Sequence, residues 1–176
     1  MPVRKPILAI SMGDPAGVGS EITVKALRDD DVWARCTPVV CGNAEALSEI
    51  SRVVKSPLPV TVVSESAEFF ESLSEPSGQV NRKKEVLVVE CGLPKIPVPF
   101  GKVSREGGEA SYKYIMKAID LAMDGRVDGV VTGPIHKEAI HLAGVPHPGH
   151  TEMFAARTGV KKYAMMLLHG DFRVSH

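Results

Sequence analysis

The chain has 176 residues, of which 44% are hydrophobic and 24% charged, and this balance is typical of a globular protein. Basic and acidic residues number 21 each, so the formal net charge is zero, which argues against a nucleic-acid partner. The three cysteines lack Cys-x-x-Cys spacing, so we expect reduced thiols and a cytoplasmic protein.

The first apolar run, residues 6–12, predicts a buried strand that ends at Gly13. The run soon meets Asp14, so it indicates neither a signal peptide nor a membrane span. A glycine loop follows, and Ser20 is predicted to cap a helix over residues 21–27. Such a loop can present backbone donors to an anion, but it matches neither Gly-x-Gly-x-x-Gly nor a P-loop. A ligand contact and a simple tight connection therefore both remain open.

Strands and helices are predicted to alternate through the middle of the chain. The predicted strands cover residues 37–41, 60–63 and 85–91, and the predicted helices cover residues 44–50 and 67–73. The continuous apolar run at residues 86–89 is typical of a strand that is covered on both faces. A turn is predicted at Pro76-Ser77-Gly78, and Pro94, Pro97 and Pro99 predict an extended stretch that cannot be a central strand.

The longest predicted helix covers residues 107–125 and is followed by a strand over residues 128–132. Its apolar stripe predicts a core or subunit contact and consists of Tyr112, Ile115, Met116, Ile119, Ala122 and Met123. The alternation along the chain predicts an α/β fold with a largely parallel sheet and helices on both faces. Gly13 and Gly133 both follow strand ends, which is where open α/β sheets bind ligands.

The segment from residue 130 to residue 152 concentrates titratable side chains. Pro134 is predicted at the start of a helix over residues 135–143 that ends at Gly144. Four of the six histidines lie in this segment, namely His136, His141, His147 and His150. Lys137 in the first turn opposes the helix dipole, which is a hint of anion binding. The alternative is an exposed Lys137 beside a packing His136.

His150 and Thr151 follow a Pro-Gly pair and precede another predicted helix. A histidine and a threonine at a helix start can together donate hydrogen bonds to a phosphate or carboxylate. In the alternative, Thr151 only caps the helix and His150 faces solvent. The histidine spacings do not match the helical zinc motif, so they indicate no metal site, and His141 is predicted to lie on the surface.

A strand is predicted over residues 162–168, with His169 in the following turn and a further strand from Phe172. Because that strand has no turn or cap after it, we expect the natural protein to continue beyond His176. We assign residues 1–130 to a first α/β domain and residues 131–176 to the start of a second, incomplete domain.

Three ordered motifs stand out along the chain, namely Ser11-Met12-Gly13-Asp14-Pro15-Ala16-Gly17-Val18-Gly19, Thr132-Gly133-Pro134-Ile135-His136-Lys137 and Gly149-His150-Thr151-Glu152. Together they resemble the 4-hydroxythreonine-4-phosphate dehydrogenase (PdxA) family. The resemblance implies a truncated two-domain architecture like that of isocitrate and isopropylmalate dehydrogenases, and a homodimer. It also implies oxidation, with decarboxylation, of 4-phosphooxy-threonine in pyridoxal phosphate biosynthesis. NAD or NADP and a divalent metal (Zn, Mg or Co) are the implied cofactors.

The resemblance also implies roles for individual residues. His150 and Thr151 match the family's substrate-binding pair, and Asp14, His136 and Lys137 are possible substrate or charge contacts. The family's metal ligands are expected beyond the end of this chain, so no metal ligand is assigned here.

The implied substrate remains open. A sister group that acts on four-carbon sugar-acid phosphates, such as threonate or erythronate 4-phosphate, shares the Met-Gly-Asp-Pro form of the first motif. An inactive phosphate-binding or dimerisation fragment is the further alternative.

Overall fold

A computed structural model describes residues 4–55, 57–74, 84–92 and 98–175. The strands are β1 (Ile7–Ser11), β2 (Thr37–Gly42), β3 (Val60–Val62), β4 (Val86–Glu90), β5 (Gly129–Thr132), β6 (Met166–His169) and β7 (Phe172–Ser175). The helices are α1 (Gly19–Ala26), α2 (Asp30–Arg35), α3 (Ala44–Val53), α4 (Ala67–Ser74), α5 (Arg105–Met123), α6 (Lys137–Leu142) and α7 (His150–Thr158). The predicted turn at Pro76-Ser77-Gly78, together with Pro94, Pro97 and His176, lies outside the described residues.

Five strands form one parallel sheet in the order β3-β4-β2-β1-β5. In the register of β1, Ile7 lies opposite Thr37 of β2, and Leu8 lies opposite Gly129 of β5. The chain runs from β1 towards one edge of the sheet and returns to β5 on the other side of β1. The carboxyl ends of β1 and β5 therefore lie side by side at the point where the strand order reverses.

Alternate residues of the central strands cover the two faces of this sheet. Val39 and Leu87 pack with α4 and α5, whereas Val40 and Val88 pack with α1, α2 and α3. All four residues are at most 1% exposed, which confirms the prediction that this part of the sheet is covered on both faces. The predicted α/β class, with a parallel sheet and helices on both faces, is confirmed.

The long helix α5 is buried on two sides, and the predicted apolar stripe describes only one of them. Ile115 and Ile119 from the stripe pack against Ile140 of α6 and Met153 of α7. The other side faces the sheet through Tyr114, Ala110, Ala118 and Leu121 and was not predicted. Met123 of the predicted stripe is exposed, so it is not a core residue, and a subunit contact through it stays a prediction.

The start of two helices differs from the prediction. The first helical residue of α1 is Gly19, with Val18 at its N-cap and no side-chain cap, so Ser20 lies buried inside the helix. The helix α6 begins at Lys137, so Pro134 lies three residues before its first residue instead of opening it. The loop before α1 is therefore two residues shorter than predicted, and the loop before α6 is two residues longer. The two loops pack against each other before the helices begin.

The short helix α2 was missed in the sequence. Its residues include Asp30, Asp31 and Arg35, which show no apolar periodicity beyond Trp33. The side chain of Asp29 accepts a hydrogen bond from the Asp31 N–H and caps the helix.

Strands β6 and β7 form an antiparallel hairpin that is separate from the parallel sheet. The predicted strand over residues 162–168 begins only at Met166, and His169 ends β6 instead of lying in the turn. Every hairpin residue is exposed, including Leu168 and Phe172 at 63% and 70%. The assignment of residues 131–176 to a second domain stays a prediction.

Within the described ranges, no helix has both the length and the apolar character needed to cross a bilayer.

Candidate functional site

The loops that follow β1 and β5 pack backbone against backbone at the carboxyl edge of the sheet. The Asp14 N–H donates to the Pro134 carbonyl oxygen at 3.0 Å, and the Gly133 N–H donates to the Ser11 carbonyl oxygen at 2.8 Å. A Cβ on Gly13, whose φ is +79°, would lie 2.4 Å from the Pro134 oxygen. The two glycines therefore allow the loops to touch, and this junction confirms that both turns meet at one sheet edge.

Asp14 is buried in this junction at 5% exposure. Its Oδ1 accepts a hydrogen bond from the Ala16 N–H at 2.8 Å, and its carbonyl oxygen accepts one from the Gly17 N–H at 2.9 Å. The carboxylate also lies beside the first turn of α5, because a Cβ on Gly107 would be 2.7 Å from Oδ1. The positive end of the α5 dipole favours a carboxylate at this position.

A pocket of about 330 Å³ opens beside the junction. Its lining residues are Asp14, Ala16, Gly17, Val18, Gly101, Lys102, Val103, Pro134, Ile135 and His136. The loop at residues 101–103 forms one wall, and the Gly101 N–H donates to the Ala16 carbonyl oxygen at 2.8 Å. The volume is at the small end of the range for ligand pockets, about 300–1,000 Å³, and suits a small molecule.

Lys102 is a pocket residue that sequence reasoning missed. It lies in an irregular segment after the proline-rich stretch, far from the glycine motifs in sequence. In the sequence, only the Gly101-Lys102 pair could have indicated a pocket residue here, and such a pair is also common in exposed turns. Its place beside Ala16 depends on a loop–loop contact that no local pattern encodes.

His150 is anchored to the same junction from α7. Its Nε2–H donates to the Gly133 carbonyl oxygen at 3.2 Å, and the ring is half-buried. Burial lowers the pKa of His150 below its ordinary value, and the hydrogen bond to Gly133 only partly opposes this. The neutral ring with its proton on Nε2 leaves Nδ1 as a hydrogen-bond acceptor. The alternative in which His150 simply faces solvent is therefore wrong.

Thr151 lies in the first turn of α7 and is exposed. The N-cap is Gly149, without a side-chain cap, so the alternative in which Thr151 caps the helix is also wrong. The Met153 N–H donates to the Gly149 carbonyl oxygen at 3.2 Å. The N–H groups of His150, Thr151 and Glu152 precede this bond and lack an acceptor within the helix.

The structure separates the remaining predicted contacts into two places. His136, the N-cap residue of α6, lines the pocket that contains Asp14. Lys137 instead lines a second pocket together with His141 and His147. His141 is exposed, as predicted. In the described part of the chain, no group of three or more histidine, cysteine, aspartate or glutamate side chains could hold a metal ion.

A larger cavity of about 460 Å³ lies at the opposite, amino-terminal edge of the sheet. Its cations are neutralised within the protein, because Arg4 pairs with Asp128 at 2.6 Å and Arg126 pairs with Asp124 at 3.4 Å. Ligands of open α/β sheets bind at the carboxyl ends of the strands, so this cavity is not the candidate site.

The fold and the site define a parallel α/β protein whose candidate ligand site lies at the reversal of the strand order. Residues 34–176 match the family described as pyridoxal phosphate biosynthetic protein PdxA, and the chain belongs to that family. The resemblance seen in the three sequence motifs is thereby confirmed.

Curated relatives carry the names of two related dehydrogenases. A D-threonate 4-phosphate dehydrogenase of Cupriavidus necator is 38% identical over 173 residues, covering 97% of this chain and 48% of the relative. A 4-hydroxythreonine-4-phosphate dehydrogenase of Trichlorobacter lovleyi is 38% identical over 175 residues, covering 99% of this chain and 50% of the relative. The chain therefore spans about half the length of the curated relatives it matches.

A solved structure supports the same relationship. The crystal structure of a 4-hydroxythreonine-4-phosphate dehydrogenase from Burkholderia phymatum superposes with a TM-score of 0.85 at 38% identity. The match covers 99% of this chain and 50% of that protein. The two chains therefore share the fold described above along nearly the whole of this sequence.

Proposed function

We propose that this chain is the substrate-holding half of a dehydrogenase that acts on a phosphorylated four-carbon hydroxy acid. The names of its relatives support this substrate class. The observation that carries the proposal is the anchoring of His150 on the Gly133 carbonyl oxygen, which fixes the ring at the loop junction. A fixed ring at the carboxyl edge of the sheet is in the right place to orient a bound substrate.

In this proposal His150 recognises the hydroxyl group of the substrate. A neutral imidazole whose Nε2 proton is already used accepts a hydrogen bond at Nδ1, so it suits a hydroxyl better than a phosphate oxygen. Thr151 and the N–H groups in the first turn of α7 supply the donors for the phosphate. The dipole of this nine-residue helix adds a favourable contribution of about 0.3–1 kcal/mol.

The proposal includes NAD or NADP as the hydride acceptor and a divalent metal, zinc, magnesium or cobalt. A bound metal would polarise the substrate hydroxyl and the ketone formed from it. The described residues do not fit a metal centre, since no suitable group of side chains lies within them. The part of the reaction that these residues account for is therefore binding and orientation. A homodimer of the full-length protein is also part of the proposal.

The two types of candidate substrate differ at carbon 2. 4-Phosphooxy-threonine, the substrate implied for pyridoxal phosphate biosynthesis, carries an amine there, whereas threonate and erythronate 4-phosphate carry a hydroxyl. The curated relatives include proteins named for both threonine- and threonate-type substrates at the same identity of 38%. Both types retain the hydroxyl and the phosphate that His150 and Thr151 are proposed to recognise.

Calorimetric titration of the chain with both phosphorylated compounds, and with their unphosphorylated parents, tests the proposal. We expect binding of the phosphorylated compounds only, and His150→Ala should weaken it about tenfold, which corresponds to one lost hydrogen bond. His169→Ala, in the exposed hairpin, is the control and should bind as the unchanged chain does. Equal binding by both variants would overturn the assignment of His150.

Reduction of NAD or NADP, measured by absorbance with and without added metal, tests the catalytic part separately. Binding without reduction would support the alternative of a phosphate-binding fragment.

A further inference from the structure

The helix α6 and the loop after it enclose a basic pocket that the proposed function does not use. Its volume is about 300 Å³, and Lys137, Ile140, His141, Val145 and His147 line it together with two prolines. Three of its lining residues are basic and none is acidic. We propose that this pocket, here called the α6 pocket, binds the phosphate group of a small phosphate monoester.

The backbone brings the basic side chains together. Lys137 and His141 lie four residues apart on α6 and so share one face of the helix. The chain then reverses at Gly144, whose φ is +73°. The Gly144 N–H donates to the His141 carbonyl oxygen at 2.9 Å, and the Val145 N–H donates to that of Ile140 at 3.2 Å. This turn returns the next residues alongside α6.

The returning loop is stiff where it carries His147. That residue stands between Pro146 and Pro148, and each proline ring fixes its own backbone φ. The floor of the pocket is apolar, because Ile140 is 1% exposed and Val145 packs on the same cluster. A stiff wall and a packed floor mean that little conformational freedom is lost when a ligand binds.

The charges of the α6 pocket favour an anion. Across the described ranges, Lys137 forms no ion pair with a carboxylate, in contrast to Arg4 and Arg126 at the other edge of the sheet. An ammonium group and two imidazoles offer a phosphate one full positive charge and several N–H donors. The apolar floor offers contact to the organic part of a monoester. This inference is independent of the roles proposed for His150 and Thr151.

Nuclear magnetic resonance of the chain in a phosphate-free buffer tests the α6 pocket. Inorganic phosphate and glycerol 3-phosphate are titrated while the ring signals of His141 and His147 are followed. We expect saturable shifts, with tighter binding of glycerol 3-phosphate. Lys137→Gln should weaken the affinity about tenfold, as expected for the loss of one charge-assisted hydrogen bond. Lys113→Gln, an exposed lysine on α5, is the matched control and should leave the affinity unchanged.

Three results would overturn the inference. Shifts that grow linearly with concentration would show that there is no site, and equal effects of the two lysine variants would show that Lys137 does not contribute. Tighter binding of inorganic phosphate would overturn the assignment to a monoester.

Thr151→Ala separates this inference from the proposed function. We expect phosphate binding in the α6 pocket to survive that change. If Thr151→Ala removed phosphate binding and Lys137→Gln did not, the phosphate would belong to the start of α7, and the proposed function would stand without the α6 pocket.

Discussion

At the scale of single residues, the protonation of His150 makes the stability of the folded protein depend on pH. Burial holds its pKa below the ordinary value of 6.5, so the unfolded chain binds the proton more tightly than the folded chain does. The stability that depends on a neutral His150 is therefore complete above about pH 6.5. It is lost as the pH falls through the lower pKa of the folded protein.

A titration of the His150 ring signals by nuclear magnetic resonance should give a midpoint below 6.5. Urea unfolding at several pH values should show that His150→Gln removes part of the loss of stability at acidic pH. A midpoint at or above 6.5, or an unchanged pH dependence in His150→Gln, would contradict the burial of the ring.

Tyr114 offers a second prediction at this scale. Its side chain is fully buried, and within the described residues its hydroxyl has no hydrogen-bond partner. Burial is also the main reason that its pKa is raised, and nearby Cys91, Glu90 and Asp14 add to the effect. Because an unsatisfied buried hydroxyl is costly, Tyr114→Phe should raise the free energy of unfolding by about 1 kcal/mol.

Urea denaturation measures this change, with Tyr112→Phe as a control on the same helix. Tyr112 is only half-buried, so its substitution should have a smaller effect. A loss of stability in Tyr114→Phe would instead reveal a bound water that satisfies the Tyr114 hydroxyl.

At the scale of elements, the crossing of α5 and α6 depends on Gly108. A Cβ at this residue would lie 2.0 Å from the Ala139 carbonyl oxygen, which belongs to the backbone of α6 and cannot swing away. Gly108→Ala should therefore push the helices apart and lower the free energy of unfolding by about 1–3 kcal/mol. Thermal or urea unfolding measures the loss.

Glu109→Ala is the control for this change, because Glu109 is the exposed neighbour on α5. It should change the stability by no more than about 0.5 kcal/mol. Similar stability of the two variants would show that α6 can move without cost.

An element was predictable from the sequence when its own residues, and not its packing against other elements, determine it. Strand β4 has a continuous apolar run, and its burial on both faces was predictable from residues 86–89. Strand β2 was predicted as a strand over residues 37–41, without its burial on both faces. The helix α2 was not predicted because its short, charged sequence shows no apolar periodicity, and Trp33 is its buried residue. The first residues of α1 and α6 were misplaced because packing between the loops, and not Ser20 or Pro134, decides where those helices begin.

The residues of the candidate site were partly predictable from the sequence, but the contacts between them were not. The sequence motifs located Gly13, Gly133 and His150, but the hydrogen bond from His150 to Gly133 joins residues 17 positions apart and depends on how α7 packs. The division of His136 and Lys137 between two pockets reflects the starting point of α6. These are contacts between elements, which no local pattern specifies.

At the scale of the whole molecule, the β6–β7 hairpin exposes an apolar face. Leu167 lies opposite Val174, and Phe172 lies on the same side of the hairpin. These side chains are 59%, 40% and 70% exposed, and such a surface binds apolar dyes and favours association. Leu167→Lys should therefore reduce both the fluorescence of a bound naphthalene sulfonate dye and the mass measured by light scattering at high concentration.

Arg173→Gln changes a polar residue on the opposite face of the hairpin and is the control for this experiment. It should leave the dye signal and the mass as they are. If Leu167→Lys behaved like Arg173→Gln, the exposed face would not be the surface that binds the dye.

The position of β1 between β2 and β5 in the sheet has a consequence for how the protein folds. Its partner β5 is far away in the chain, and the Asp128 carboxylate that receives the Ile7 N–H lies 121 residues beyond it. The loop junction therefore cannot form from residues that are close in sequence. It forms only when the chain closes over that distance, and contacts of such high sequence separation form slowly. A ligand bound at the junction thus favours closure of the entire sheet, and its effect should appear as slower global unfolding and not as the ordering of a loop.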